Sequence, residues 1–200
     1  MKTKEQVILQ ALAKGPMRTS ELEVLGVSRA TIMRLTQMGS IERIARGLYQ
    51  IPASEYDESQ QLVEVCKQVP RGVICLLSAL QFYNISTELP YQIWLAIEGK
   101  SRAPAINYPP IRVCRFTGDS YDKGIREITT LTGFIRVYSP AKTVADCFKY
   151  RNKIGKDVAI MALKECYEQK LATINELNHY AHICRVSKVM RPYMEVLAHG

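Results

Sequence analysis

Few residues in this 200-residue chain have the types and spacing for chemistry. Glu98-Gly99-Lys100 follows the apolar run Tyr91 to Ile97 and has the Glu-x-Lys order of metal-dependent nucleases. That chemistry needs a second carboxylate beside the first to hold a divalent ion. The nearest upstream acid, Glu88, stands in a Thr-Glu-Leu-Pro turn with no strand to position it. Gly118-Asp119-Ser120 with Asp122 suggests a nucleotidyltransferase acid pair, but the glycine-serine turn is in the wrong order and no third acid stands on a neighbouring strand. It reads as a turn. His179, His182 and Cys184 are close together and fit no common zinc spacing. All three histidines fall in the last 22 residues, with no Ser-His-Asp order and no phosphate-binding glycine loop. The six cysteines (Cys66, Cys75, Cys114, Cys147, Cys166 and Cys184) form no CxxC pair and lie mostly in apolar-periodic stretches. They read as reduced thiols acting as small core hydrophobes. The expectation is a protein that is not an enzyme and has no metal and no cofactor.

The other chemistry a side chain can offer is recognition of a polyanion, and here the first fifty residues are informative. Val7, Ile8, Ala11 and Leu12 recur at helical spacing, and Gly15-Pro16 ends that helix. Thr19 or Ser20 is expected to cap a short second helix carrying Leu22, Val24 and Leu25 and ending at Gly26. Ser28 is a good N-cap for a third helix, RATIMRLTQM, closed by Gly39. Ile32 and Leu35 point inward, with Met38 near the same face. Arg29, Thr31, Arg34 and Gln37 are left on the outer side. Two short helices joined through a glycine turn form a helix-turn-helix. Ile41 to Ile44 and Gly47 to Ile51, around Arg46-Gly47, add a β-hairpin wing. Such a winged helix lays its third helix in the major groove and sets wing arginines against phosphates or in the minor groove.

Charge agrees with this. Residues 1–50 hold eight Lys and Arg against four Asp and Glu, and the remaining 150 hold 19 against 15. Each part is +4, so the excess is about three times denser in the first fifty residues. A hydrophobic content of 47% excludes disorder as the main state. No run of 18 apolar residues is present, and the basic N-terminus alternates charge with apolar residues. A cytoplasmic protein without a membrane segment is expected.

Beyond a polar, acidic stretch at 52–59, the chain reads as α+β. Gln60 to Val69 reads as a helix, Val73 to Tyr83 is mostly apolar with SALQFY suggesting a buried helix, and Tyr91 to Ile97 and Ile111 to Phe116 read as strands. Ile125 to Thr130 and Phe134 to Tyr138 are extended around Thr132-Gly133. Pro140 opens a helix after Ser139, and three more follow near 156–170, 174–183 and 187–198. Pro192 stands inside the last and puts its length in question. The expected architecture is an N-terminal winged helix-turn-helix (1–53) and a C-terminal domain (54–200) with a small mixed or antiparallel sheet and several helices.

Three stretches resemble the AbiEi-like antitoxins of bacterial abortive-infection (type IV toxin–antitoxin) systems. They are the wing GSIERIARGLYQIP; the strand YQIWLAI with its basic, proline-containing continuation KSRAPAINYPPIRVCRF; and YSPAKTVADCFKYRNKIGKDVAIMALKECY. The last is similar to that family's Pro-x-Lys-Thr-x-x-Asp helix, through Pro140, Lys142, Thr143 and Asp146. On the residues themselves, Lys142 and Asp146 pair at i,i+4 and Thr143 bonds locally, without making a site. The resemblance implies a DNA-binding repressor of its own operon, phage defence, and a nucleotidyltransferase-like toxin as functional partner, with no stable complex required. It carries DNA contact to Ser28, Arg29, Thr31, Arg34 and Gln37 on the helix, and to Arg43 and Arg46 on the wing.

A winged helix of this size reads few base pairs. Double-stranded DNA with repeated half-sites is therefore the expected partner, bound by a homodimer or by cooperating monomers. The rival readings are a ligand-responsive winged-helix regulator without an antitoxin role, a metal-dependent nuclease using Glu98 and Lys100, and an RNA-binding module.

Overall fold

In the computed structural model, residues 4–52, 58–86, 90–130 and 133–199 are described. The chain packs as two units: residues 1–71 with 104–110 and 128–135, and residues 72–103, 111–127 and 136–200.

The first unit begins with α1 (Lys4–Leu12), β1 (Met17–Arg18), α2 (Thr19–Val24) and α3 (Arg29–Gln37). It continues with β2 (Glu42–Ala45), β3 (Leu48–Gln50) and α4 (Glu58–Gln68). Ile8, Leu12, Leu22, Val27, Ile32, Leu35 and Ile41 form one core, so the three helices meet through the apolar positions their periodicity marks. Two local expectations are corrected. The cap of α2 is Arg18, whose N–H donates to Glu21 Oε2 at 2.5 Å, while Thr19 turns its hydroxyl to the wing. Met38 is 64% exposed, because the helix ends at Gln37 and the chain turns away.

After α4 come β4 (Val73–Ile74), α5 (Leu76–Phe82), β5 (Ile93–Glu98), β6 (Ile111–Phe116), α6 (Asp119–Asp122), β7 (Ile125–Thr129) and β8 (Phe134–Tyr138), all in the second unit except residues 128–129 of β7 and 134–135 of β8. Five helices follow: α7 (Pro140–Lys149), α8 (Arg151–Ile154), α9 (Lys156–Glu168), α10 (Ile174–Ile183) and α11 (Ser187–His199). The sheet order is β6-β5-β4-β8-β7, and it is mixed: β5 runs parallel to β6, and β4 is antiparallel to β5 but parallel to β8. The fold is α+β, as the alternation of elements indicates.

The apolar run Val73 to Tyr83 divides into the strand β4 and the helix α5, which carries most of SALQFY. Val73 and Ile74 pair with Ala96 and Leu95, and Ile74 also with Val137, which makes them the sheet's middle strand. A strand buried on both faces has no alternation to separate it from a buried helix. Asp119–Asp122 is a one-turn helix where a turn was expected. Pro192 does not shorten α11, which runs through it.

Residues 140–148 of α7 are all buried, and the helix packs against α5, α9, α10 and α11. Ser139 caps it, accepting from the Lys142 N–H at 3.4 Å, with Pro140 in the first turn. Its polar residues are satisfied internally. Lys142 Nζ donates to Asp146 Oδ2 at 2.5 Å, Cys184 Sγ donates to Asp146 Oδ1 at 3.2 Å, and Thr143 Oγ1 donates to the Tyr138 carbonyl at 3.3 Å. The ammonium also lies 4.1 Å from the Tyr138 ring centroid and 4.8 Å from that of Phe116. Burial pushes the Asp146 carboxyl above its ordinary range, while Lys142 and the Cys184 hydrogen bond work against that rise. Lys142→Met leaves a buried carboxylate unpaired and is expected to cost about 3–5 kcal/mol, whereas Lys142→Met with Asp146→Leu recovers most of it. Urea unfolding of both variants checks this; equal losses in the two would show that the pair is not the source.

Candidate nucleic-acid interface

The third helix is set by its cap and by its inward pair. Ser28 Oγ accepts the Thr31 N–H at 3.3 Å and lies 2.9 Å from Thr31 Oγ1. Gly26 precedes it at φ +77°, a left-handed conformation that costs glycine nothing. With Ile32 and Leu35 in the core, the remainder of α3 faces outward.

The wing is a three-stranded sheet in the order β1-β3-β2. Arg43 pairs with Tyr49 and Ala45 with Leu48, with a bulge between Arg43 and Ala45. At its turn Gly47 adopts φ +71°, and its carbonyl accepts both the N–H (2.8 Å) and the hydroxyl (3.2 Å) of Thr19. The start of α2 is thereby bonded to the tip of the wing. A Cβ on Gly47 would meet Thr19 Oγ1 at 3.2 Å, so the turn suits glycine on both counts.

A groove of about 500 Å³ lies between α3 and the wing. The helix contributes Arg29, Met33, Thr36 and Gln37 and the wing contributes Arg43, Arg46 and Tyr49. Of the residues singled out from sequence, Arg29, Gln37, Arg43 and Arg46 are gathered here. Ser28 and Thr31 are occupied with each other at the helix start. Arg34 is turned toward α1, where its Nη2 pairs with Glu5 Oε1, both side chains remaining about half exposed. Arg29 Nε donates to Glu23 Oε1 at 2.7 Å, tying α3 back to α2, and Arg43 Nε donates to the Ala45 carbonyl at 3.1 Å across the bulge. Met33, Thr36 and Tyr49 also line the groove and are not among the residues singled out from sequence. Positions 29, 33, 36 and 37 form a single helical stripe, and that spacing is the signal that could have found Met33 and Thr36.

Chemically, the guanidinium groups of Arg43 and Arg46, beside an Arg29 paired with Glu23, suit the groove to phosphate oxygens. Gln37 adds an amide able to donate and accept at a base edge.

Behind the wing a polar chain anchors it to α4. Gln60 Nε2 donates to Gln50 Oε1 at 2.7 Å, and Gln50 Nε2 donates to Glu42 Oε1 at 2.6 Å. Beside this chain Glu64 is 4% exposed. Burial first, and then the charge of Glu42, push its carboxyl from 4.5 up to about 7, with a Gln60 hydrogen bond opposing them. The folded state therefore holds this proton more tightly than the unfolded chain. The stabilisation is full below pH 4.5 and is lost as pH rises through about 7. Glu64→Gln is expected to match the parent protein near pH 4.5 and to exceed it by up to about 3 kcal/mol at pH 8, read by urea unfolding at the two pH values.

Glu98 and Lys100 are exposed at the end of β5, Glu88 lies outside the described residues, and among the described residues no three His, Cys, Asp or Glu side chains group as a metal site. Nor, among them, is any helix long and apolar enough to cross a membrane.

Comparison with known proteins agrees with this architecture. The crystal structure of the RV2827C protein from Mycobacterium tuberculosis is similar over 90% of this chain and 71% of that one, with a TM-score of 0.60 at 14% sequence identity. That likeness shows the fold alone. No curated protein matches. The sequence model of one family, described as "Transcriptional regulator, AbiEi antitoxin", matches residues 7–52, which span α1 to the end of the wing. The segment that builds the groove is thus the one that is similar to the AbiEi antitoxin family of transcriptional regulators.

Proposed function

We propose that this protein binds the DNA upstream of its own gene through the α3–wing groove, represses that operon, and counteracts a nucleotidyltransferase-like toxin without needing a stable complex with it. The observation that carries the reading is the convergence of Arg29, Gln37, Arg43 and Arg46 on one groove in a segment of an antitoxin-regulator family. In this reading Gln37 contacts a base edge, and Arg43 and Arg46 contact phosphates. Arg34, paired with Glu5 on another side of α3, supports the helix from outside the groove. Two copies on repeated half-sites supply the specificity that one winged helix lacks. The protein then acts in the cytoplasm, as a regulator with no catalytic step of its own. Residues 54–200 form the domain that acts against the toxin.

Binding to the upstream duplex and to a scrambled duplex over a salt series tests this. Gln37→Ala is expected to lose about 1–3 kcal/mol on the upstream DNA and little on the scrambled one. Arg46→Ala is expected to weaken both equally and to lower the salt slope by about 1. Arg34→Ala is expected to leave binding within about threefold of the parent protein, in line with the small worth of an exposed ion pair. Equal binding to both duplexes by the parent protein overturns operator reading. Antitoxin action is tested by expressing the protein from an unrelated promoter beside the neighbouring gene. Failure to rescue growth would reduce the assignment to a plain regulator.

A further inference from the structure

A second cavity, of about 720 Å³, lies wholly within the second unit, and no role has been given to it. Its walls are the Thr117-Gly118-Asp119 turn after β6, the C-terminal end of α7 with Arg151, and the C-terminal end of α10 through Arg185. Several of its polar groups are held in place. Lys149 Nζ donates to Ser120 Oγ at 3.4 Å, and Ser120 Oγ donates to the Ile183 carbonyl at 3.2 Å. Arg151 Nη1 donates to the Phe148 carbonyl at 2.8 Å. Behind them Cys184, which also lines the cavity, donates to the buried Asp146, so this wall is continuous with the rigid core. A Cβ built at Gly118 would meet nothing within 4 Å, so the wall is bare backbone there.

Cations are ordinary at helix C-termini, so the balance of charge decides whether these have a further use. Two helices end here, each contributing about half a negative charge, and Asp119 adds one more. Lys149, Arg151 and Arg185 supply three positive charges, leaving an excess of about one before His182 is considered. Arg185 moreover occupies φ +60° just beyond α10, a position where glycine is the relaxed choice. Its N–H bonds to the His182 carbonyl at 3.0 Å, which fixes its backbone at the cavity. A volume of this size suits a mononucleotide rather than a single small ion. Two guanidinium forks and an ammonium match phosphate oxygens better than a lone carboxylate.

The geometry points to a binding site for a phosphate-bearing small molecule of nucleotide size, held by Lys149, Arg151 and Arg185. This inference is independent of the DNA groove, since it uses only residues of the other unit.

Isothermal titration calorimetry on the full chain, without magnesium and at fixed ionic strength, tests it with ATP, pyrophosphate and inorganic phosphate as probes. The expected result is 1:1 binding of ATP or pyrophosphate, weakened about tenfold or more by Arg185→Gly and by Lys149→Gln. Arg185→Gly keeps the left-handed backbone, so its thermal unfolding is expected to be unchanged or raised, which separates loss of the cation from loss of the fold. Tighter binding of ATP than of pyrophosphate identifies a nucleotide as the source, and equal binding identifies a polyphosphate group alone. The Arg43→Ala, Arg46→Ala double variant is expected to bind as the parent protein does. The site is overturned if no probe binds up to about 1 mM. It is also overturned if Arg185→Gly binds like the parent protein or if the groove variant abolishes binding.

Discussion

The buried Lys142–Asp146 pair is the constraint on which the second unit turns. Both side chains are fully removed from water, and desolvating two charges is repaid only where every remaining lone pair and proton finds a partner. The partners come from other elements: the Cys184 thiol from the end of α10, the aromatic face of Phe116 in β6, and that of Tyr138 at the end of β8 just before the helix. Tyr138 is held in turn by its hydroxyl, which donates to the Tyr121 carbonyl at 2.8 Å. Gly124 passes so close that a Cβ would come within 2.9 Å of the Lys142 Cβ. Strand, helix and turn must therefore meet at one point on α7. A slip of any of them leaves a charge without its partner. The same point forms a wall of the basic cavity, because Cys184 belongs to both.

The first unit is organised differently, through a small apolar core and a few polar ties at its surface. Its core orients α3, but the core alone does not say where the wing lies relative to that helix. The two hydrogen bonds from Thr19 to Gly47 and the chain from Gln60 through Gln50 to Glu42 do so from opposite sides. With the wing held, the outward surface of α3 divides in two. One stripe faces the wing and forms the groove, and another carries Arg34 to α1. Residues of one type on one helix thus take different work according to which neighbour they meet.

Much of this was legible beforehand because it is local. The Ser28 and Ser139 caps, the turn at Gly26, the wing turn at Arg46-Gly47, the i,i+4 pair in α7 and the inward Ile32 and Leu35 follow from spacings within a few residues. Val73 and Ile74 illustrate the opposite case. Nothing in an apolar run separates a central strand from a buried helix, and only pairing with β5 and β8 makes them a strand. Met38 and the cap of α2 were misread for a related reason, since each depends on where the chain turns next.

By itself, then, the sequence determined the class of the protein: a basic winged helix ahead of an α+β unit, with polar residues set inside an otherwise apolar α7. Periodicity, capping and charge density are properties of neighbouring residues, and they survive without knowledge of the fold. The tertiary structure alone decided which outward residues share a groove. It also decided that Cys184 serves Asp146 rather than the nearby histidines, and that Lys149, Arg151 and Arg185 converge on one cavity. Those are contacts between residues distant in sequence, formed only when buried apolar surface and satisfied charges select one packing, and no spacing along the chain records them.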